Sequence, residues 1–383
     1  MNKIFIIAII LTSTLSYAQT KPKLSDEEKF NKCVLENTSY FTFDGQKPNG
    51  NGWTILENLF AENQFVAWGE FHNSPVLSKL TSYALVSASK YGYKTWCVET
   101  SPFVAMELMR IAKTKNPFDT LLSISKDHPN NSTFPFFKTK EDVEMIETAT
   151  RLNYSIWGID QEFQMTFPYC IDKVYNAQPG KLKIQYRAVY DSLLSKWWMP
   201  DSKLLDSLKN AIKQPLYKDV LEGIKTSEKI YQGNEYSYSD NMLRAAVMKQ
   251  NFFKHYDNLT SKNEKVFLKM GNNHLGRGMN FETQIYDIGN AVFELSQRNK
   301  TNFANVYCMV RYSMDGDKMI DDLTEEKNEN PRVFSKLYSK DKWVLVDVRS
   351  VRLRLRNDNT LTNDTYKVIE KYDFVLISPE ILK

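Results

Sequence analysis

Two apolar runs in this chain end in an acid and pass almost at once into a capped helix. Phe65-Val-Ala-Trp-Gly-Glu-Phe-His72 is followed by Ser74-Pro75, and Lys94-Thr-Trp-Cys-Val-Glu99 by Ser101-Pro102. Serine is a preferred helix N-cap and proline a favoured first helical residue. Behind the first cap, Leu77, Leu80, Ala84, Ala88 and Tyr91 recur at helical spacing until Gly92; behind the second, Val104, Leu108 and Ile111 do the same. Strand–helix–strand–helix in this order favours a parallel sheet with right-handed crossovers. The expected fold is therefore α/β, with a mostly parallel central sheet flanked by helices.

The rest of the chain extends this plan. A weak helix is expected near Ser25–Glu36, and residues 114–139 read as irregular. Glu141–Leu152 reads as a helix and Tyr154–Ile159 as a third strand. Residues 163–235 read as a helical insertion without strands, clearest at Leu182–Leu194 and Leu204–Ile212. Then come a long helix at Ser239–Tyr256, a strand at Lys265–Met270, a helix at Phe281–Gln297 and a strand at Ala304–Tyr312. Met314–Asn330 reads as a charged loop, with further strands at Trp343–Val348 and Phe374–Ile377. At the start, Lys3, the apolar run Ile4–Leu11 and Ser16-Tyr17-Ala18 have the pattern of a signal peptide over residues 1–18. Export to a periplasm or beyond is the expectation, with one domain over 19–383.

Composition narrows the partners. The net charge is +4 with both signs interspersed, and no basic block points to nucleic acid. No other run approaches the roughly 18 apolar residues of a membrane span, so stable membrane insertion is not expected. Aromatic residues make up 13% of the chain, which suits a large core and an apolar cleft for a small-molecule substrate. The four cysteines, Cys33, Cys97, Cys170 and Cys308, lack metal-type spacing. Cys97 and Cys308 lie in strand-like runs, where cysteine is commonly a small buried hydrophobe. Export would permit a Cys33–Cys170 disulfide. The oligomeric state is not written in the sequence.

The chemistry gathers at strand ends. Of four histidines, His72 and His274 each follow an apolar run through a Gly-x-x-His step, the second within Val266-Phe-Leu-Lys-Met-Gly-Asn-Asn-His274. His128 and His255 read as solvated. Ligands of open α/β sheets bind outside the carboxyl ends of the strands. Glu70, His72, Glu99 and His274 are therefore expected at one rim as catalytic residues. A carboxylate beside an imidazole fixes its tautomer and raises its basicity, and helix N-termini can hold an oxyanion. Asp160 is a third strand-end acid, read as substrate-binding or as a helix cap. Arg277 reads as a ligand for an anion or carbonyl, or as a loop arginine in solvent. There is no Gly-x-Ser-x-Gly elbow, His-Glu-x-x-His helix, phosphate loop or dinucleotide fingerprint. Wide separation leaves the histidines and acids without metal-type spacing, so neither a metal nor a cofactor is expected.

Gly69-Glu-Phe-His72, Glu99 after its strand, Gly158-Ile-Asp160, Arg244-x-x-x-Met248-x-x-Asn251, Asn273-His-Leu-Gly-Arg277 and Lys371-Tyr-Asp-Phe-Val-Leu-Ile-Ser378 together resemble the erythromycin esterase family. They occur in that family's order and span residues 60–380. The resemblance implies an α/β core with helical additions and ester or lactone hydrolysis by water, without a protein nucleophile. It places a general base on His72 or His274, supported by Glu70 and Glu99, and adds Arg244 and Asn273 to Asp160 and Arg277 as substrate-binding residues. The first motif departs from the esterases: one residue, Phe71, separates Glu70 from His72 where they have two. That spacing is closer to the haem-uptake branch of the wider superfamily, which also holds the TraB/Tiki metalloproteases. Two alternatives thus stand beside the hydrolase: a haem- or small-ligand-binding protein using its histidines as iron ligands, and a Tiki-like metal-dependent peptidase.

Overall fold

The computed structural model describes residues 24–129, 133–232, 238–280, 283–315, 318–324, 332–355 and 368–380. The signal peptide expected at 1–18 lies outside them. The chain opens with α1 (Asp26–Glu36), β1 (Thr38–Phe43), β2 (Pro48–Asn49) and α2 (Asn51–Glu62). The strand–helix run follows as β3 (Phe65–Glu70), α3 (Pro75–Lys90), β4 (Tyr93–Val98), α4 (Pro102–Ile111), α5 (Pro117–Lys126), α6 (Lys140–Arg151) and β5 (Ser155–Gly158). Helices then succeed one another: α7 (Phe167–Asn176), α8 (Gly180–Gln185), α9 (Arg187–Ser195), α10 (Ser202–Ala211), α11 (Pro215–Gln232) and α12 (Tyr238–Asp257). The sheet resumes with β6 (Lys265–Gly271), the one-turn α13 (Asn272–Leu275), α14 (Ile288–Asn299) and β7 (Phe303–Met309). A hairpin of β8 (Tyr312–Asp315) and β9 (Lys318–Asp321), then α15 (Arg332–Ser335), β10 (Trp343–Asp347), α16 (Val348–Leu355) and β11 (Phe374–Ile377) complete the chain.

The main sheet has the order β2-β1-β10-β11-β7-β3-β6-β4-β5. From β11 to β5 all neighbours are parallel; β10, β1 and β2 add an antiparallel edge. The mostly parallel sheet expected from the sequence is present. Strands β3, β4 and β6 alternate between two cores. Val66, Trp68, Trp96, Val98 and Phe267 pack under α3, α4 and α6. Phe65, Ala67, Cys97 and Leu268 pack against Met248 and Phe252 of α12 and Ile288 and Val292 of α14. The crossovers from β3 to β5 therefore use one face, whereas α12 and α14 use the other. Strand β6 returns between β3 and β4. This change of face marks the switch point at the carboxyl ends of β3, β6 and β4, the place where such sheets bind ligands.

Between β5 and β6 the described residues form no strand, and Cys170, Leu193, Leu205 and Leu221 of these helices join the same core as the sheet. Among the described residues no helix is long and apolar enough to cross a membrane. Several details differ from the sequence reading. The segment read as irregular contains α5, started by Pro117 and anchored by Leu121; its polar composition hides one buried face. The helix expected from Phe281 begins at Ile288 instead, behind the N-cap Asp287. β1 and α2 were not expected; β1 is a half-exposed strand next to a loop, with little alternation to read. All four cysteines are free and buried. Cys33 and Cys170 belong to separate cores, so the bridge considered for them does not form.

Candidate active site

Register carries the rim residues together. Glu70 ends β3 opposite Gly271 of β6, and Val98 of β4 lies opposite Lys269 of β6. Glu70 is in phase with Val66 and Trp68, so it points to the α3 side, where it accepts a hydrogen bond from the buried Lys269 ammonium. Glu99 is in phase with Cys97 and points to the α12 side. His72 lies beyond the end of β3 and meets an acid from each face. Its Nδ1 is 3.4 Å from Glu70 Oε1 and its Nε2 is 3.4 Å from Glu99 Oε2.

Glu99 is the hub. Its Oε1 accepts from Arg244 Nη2 at 2.8 Å and lies 3.4 Å from His274 Nε2. Its Oε2 accepts from the Gly271 backbone N–H at 2.5 Å. One buried carboxylate therefore touches both imidazoles. The approach is close: a Cβ on Gly271 would stand 3.1 Å from both Glu99 Oε2 and His72 Nε2. Gly69 is placed more tightly still, since a Cβ there would come within 2.7 Å of the Tyr372 hydroxyl oxygen and 2.9 Å of the Asn272 Cα.

The two histidines differ in their second contact. His274 Nδ1 lies 2.7 Å from Asp287 Oδ2, while Asp287 Oδ1 accepts from the Ile288 N–H at 2.7 Å and so starts α14. Burial works against charge on His274, but Asp287 and then Glu99 outweigh it and push its pKa up to about 10. His274 thus holds its proton at neutral pH. The His72 side chain is twice as exposed, 26% against 13%, and the Phe136 ring stacks on it at 3.7 Å between centroids. The acids remain charged. Burial alone would raise Glu99, yet His72, His274 and Arg244 hold it well below the ordinary carboxylate range. Lys269 and His72 likewise outweigh burial at Glu70 and hold it below its usual value.

The substrate-binding candidates divide. Arg244 of α12 grips Asp160 through Nε at 3.1 Å and Nη2 at 2.5 Å and lies over the Phe163 ring at 5.4 Å. Asp160 is 1% exposed. The pair supports Glu99 from behind, with Asn251 Nδ2 donating to the Ile159 carbonyl at 2.9 Å beside it. Asn273 sits next to His274 in α13, and its carbonyl accepts from Asn280 Nδ2 at 2.5 Å. Arg277 is turned away: its partners are Asp373, at 2.7 Å, and the Phe293 ring. The structure thus gathers Glu70, His72, Glu99, His274, Arg244 and Asp160, and leaves Arg277 apart from them. Of the other histidines, His128 lies 2.7 Å from the Ile124 carbonyl through Nδ1. His255 stacks on Trp157, where burial lowers its pKa.

Three residues of the site escaped the sequence reading. Lys269 left a signal, a lone charge inside an apolar strand, because lysine is almost never buried unpaired. Asp287 carried a weaker one, an N-cap residue before a helix placed too early. Phe136 carried none. Among the described residues no group of three or more His, Cys, Asp or Glu is disposed to hold a metal ion. The chemistry of the donors agrees, for Glu99 is committed to Arg244 and the Gly271 N–H, and His274 Nδ1 to Asp287.

No family model matches the chain, and a search of curated proteins found no match. Solved structures do match over nearly the whole length. A Bacillus cereus protein aligns at 14% identity and TM-score 0.55, covering 93% of this chain and 98% of that one. A succinoglycan biosynthesis protein aligns at 15% and 0.56 with the same coverage. A mutant of the erythromycin esterase EreC, in its open conformation, aligns at 12% and 0.55, covering 89% of this chain and 97% of that one. The chain has the fold seen in the erythromycin esterase structure, and the resemblance read from its motifs holds at the level of the fold.

Proposed function

We propose that this cleft hydrolyses an ester or lactone with water activated by a histidine and without a metal, in a protein exported from the cell. The observation that carries the reading is the Glu99 carboxylate shared by two unequal imidazoles. His72 is the base. Its Nδ1 is buried beside Glu70, which leaves Nε2 to meet water. As water attacks the carbonyl carbon, its proton passes to Nε2, and Glu70 and Glu99 stabilise the imidazolium that forms. His274, already protonated and tied to Asp287 through Nδ1, is assigned to the developing oxyanion through its Nε2–H. Collapse breaks the bond to the alkoxide, which takes up a proton from the His72 imidazolium. Free acid and alcohol leave, and the enzyme returns to its starting state. Arg244 and Asp160 keep Glu99 charged and in place.

The fold supports this reading to the extent that one protein sharing it is an erythromycin esterase. The test is the mature chain on a panel of esters and lactones, with and without chelator. Turnover of at least one member, unchanged by chelator, is the expected result. Turnover lost on chelation and restored by added metal would move the assignment to a metal-dependent peptidase. Absence of turnover with a new visible band on adding haem would move it to a binding protein.

A further inference from the structure

We infer that Phe136 is a removable plug in the cleft, and that the place its ring occupies is the subsite for a flat, apolar group of the substrate. The ring lies on the His72 imidazole, 3.7 Å between centroids and 21° from parallel. Phe163 is its other aromatic neighbour, perpendicular to it with centroids 5.3 Å apart, and Phe163 in turn lies under Arg244. The place held by the Phe136 ring therefore offers the flat face of an imidazole with an aromatic neighbour beside it, which a flat group can stack on and a saturated ring cannot. Anything that reaches His72 across its face must first remove Phe136.

The surroundings let the ring leave alone. Phe134 and Phe137, on either side, are 1% and 5% exposed and anchor the segment in the core, Phe134 against Tyr169 and Phe137 against Trp96. The Lys138 and Thr139 N–H groups are tied to Asp142 at 3.0 and 2.8 Å. Phe136, half-buried between these anchors, has φ of 64°, a left-handed conformation that a bulky side chain rarely adopts. Such strained residues cluster at ligand clamps and switches. A side-chain swing opens this place without unseating the segment. The subsite rests on the hydrolase reading only for the identity of the bond that reacts; the plug does not.

The experiment therefore avoids turnover. The full mature chain is labelled at its histidine rings, and the His72 signal is assigned by its loss in His72→Ala. In the free protein the Phe136 ring current should hold that signal upfield, and Phe136→Leu should release it. Sodium 2-naphthoate should move the wild-type His72 signal. It should bind Phe136→Leu and Phe136→Ala about tenfold more tightly, because no plug has to be displaced. Cyclohexanecarboxylate, equal in charge but not flat, should gain less than 2-naphthoate from the substitution. A His72 signal unchanged by Phe136→Leu would overturn the plug. Equal affinity of wild type and both variants for 2-naphthoate, or 2-naphthoate binding that leaves the His72 signal in place, would overturn the subsite. A protein that passes these tests and cleaves no ester would retain the plug and lose the hydrolase.

Discussion

His72 and His274 follow the same Gly-x-x-His step at the ends of neighbouring parallel strands, and both touch Glu99. Their surroundings nevertheless differ. His274 is clamped by Asp287 at 2.7 Å and carries its proton up to about pH 10. His72 is held by two carboxylate contacts of 3.4 Å and the stacked Phe136 ring, and is more exposed. One shared carboxylate therefore touches a clamped cation and a more exposed ring, the one to which we assign the base role. The lesson is that equivalent sequence positions do not give equivalent chemistry: the second neighbour of each ring decides.

The sharpest way to break this comparison is to remove each ring. His72→Ala and His274→Ala should each lower turnover by about a hundredfold or more, the loss expected for a general base or acid. The two should then diverge. Added imidazole should rescue His72→Ala best at a pH where the buffer is neutral, and His274→Ala best where it is protonated. Identical rescue profiles would erase the distinction.

Lys269→Met tests the support of His72 through stability. It leaves Glu70 buried without its cation, and breaking a buried pair costs about 3–5 kcal/mol. Glu70 is depressed in the folded protein from its ordinary 4.5, so the stability it contributes is present above that value and lost as pH falls. The deficit of the variant in denaturant melts should accordingly be largest at neutral pH and shrink in acid. A deficit independent of pH would point to packing alone.

Asp287→Asn addresses the other ring. With its main stabilising charge gone, the His274 pKa should fall from about 10 towards its ordinary 6.5. Turnover should drop by roughly tenfold at neutral pH, within the range of an acid–base contribution, and decline further as pH rises, where the wild type stays level. Stability gives an independent reading. A raised folded pKa contributes fully below about 6.5 and is lost as pH climbs through about 10. The wild type should therefore lose stability over that window and the variant should lose less. Matching melts of the two proteins from pH 7 to 10 would contradict the clamp.

The smallest effect should come from Gly271→Ala. Gly271 has φ of −48°, which alanine accepts, so stability should change by no more than about 1 kcal/mol. The new methyl would crowd Glu99 and His72 at 3.1 Å, and turnover should fall a few-fold. Unchanged turnover would show that the shared carboxylate tolerates looser placement than the comparison assumes.

Much of this was legible in the sequence because the signals are short-range. Ser74-Pro75 and Ser101-Pro102 mark helix starts through contacts within one turn; Ser101 does accept from the Val104 N–H at 3.1 Å. Period-two alternation sets the phase of Glu70 and Glu99 along their own strands, while the register of the sheet decides that they point to opposite faces. These features gave the strand–helix order, the parallel sheet and the rim position of both histidines. Arg277 shows the limit. It follows His274 by three residues, yet the chain after α13 turns back along the sheet and delivers it to Asp373, 96 residues away.

What the sequence determined by itself is the order of elements and the residues delivered to strand ends, because caps, turns and alternation are settled within a few residues. Tertiary structure alone decided which charges those residues meet. Lys269 reaches Glu70 across 199 residues, and Glu99 reaches the Gly271 N–H across 172. The Asp287–His274 contact spans only 13 residues, but it depends on where α14 begins. Proton affinity follows charge separation and burial, both of which change steeply over a few ångströms. Two histidines that read alike in sequence therefore acquire different surroundings only once the sheet has closed around them.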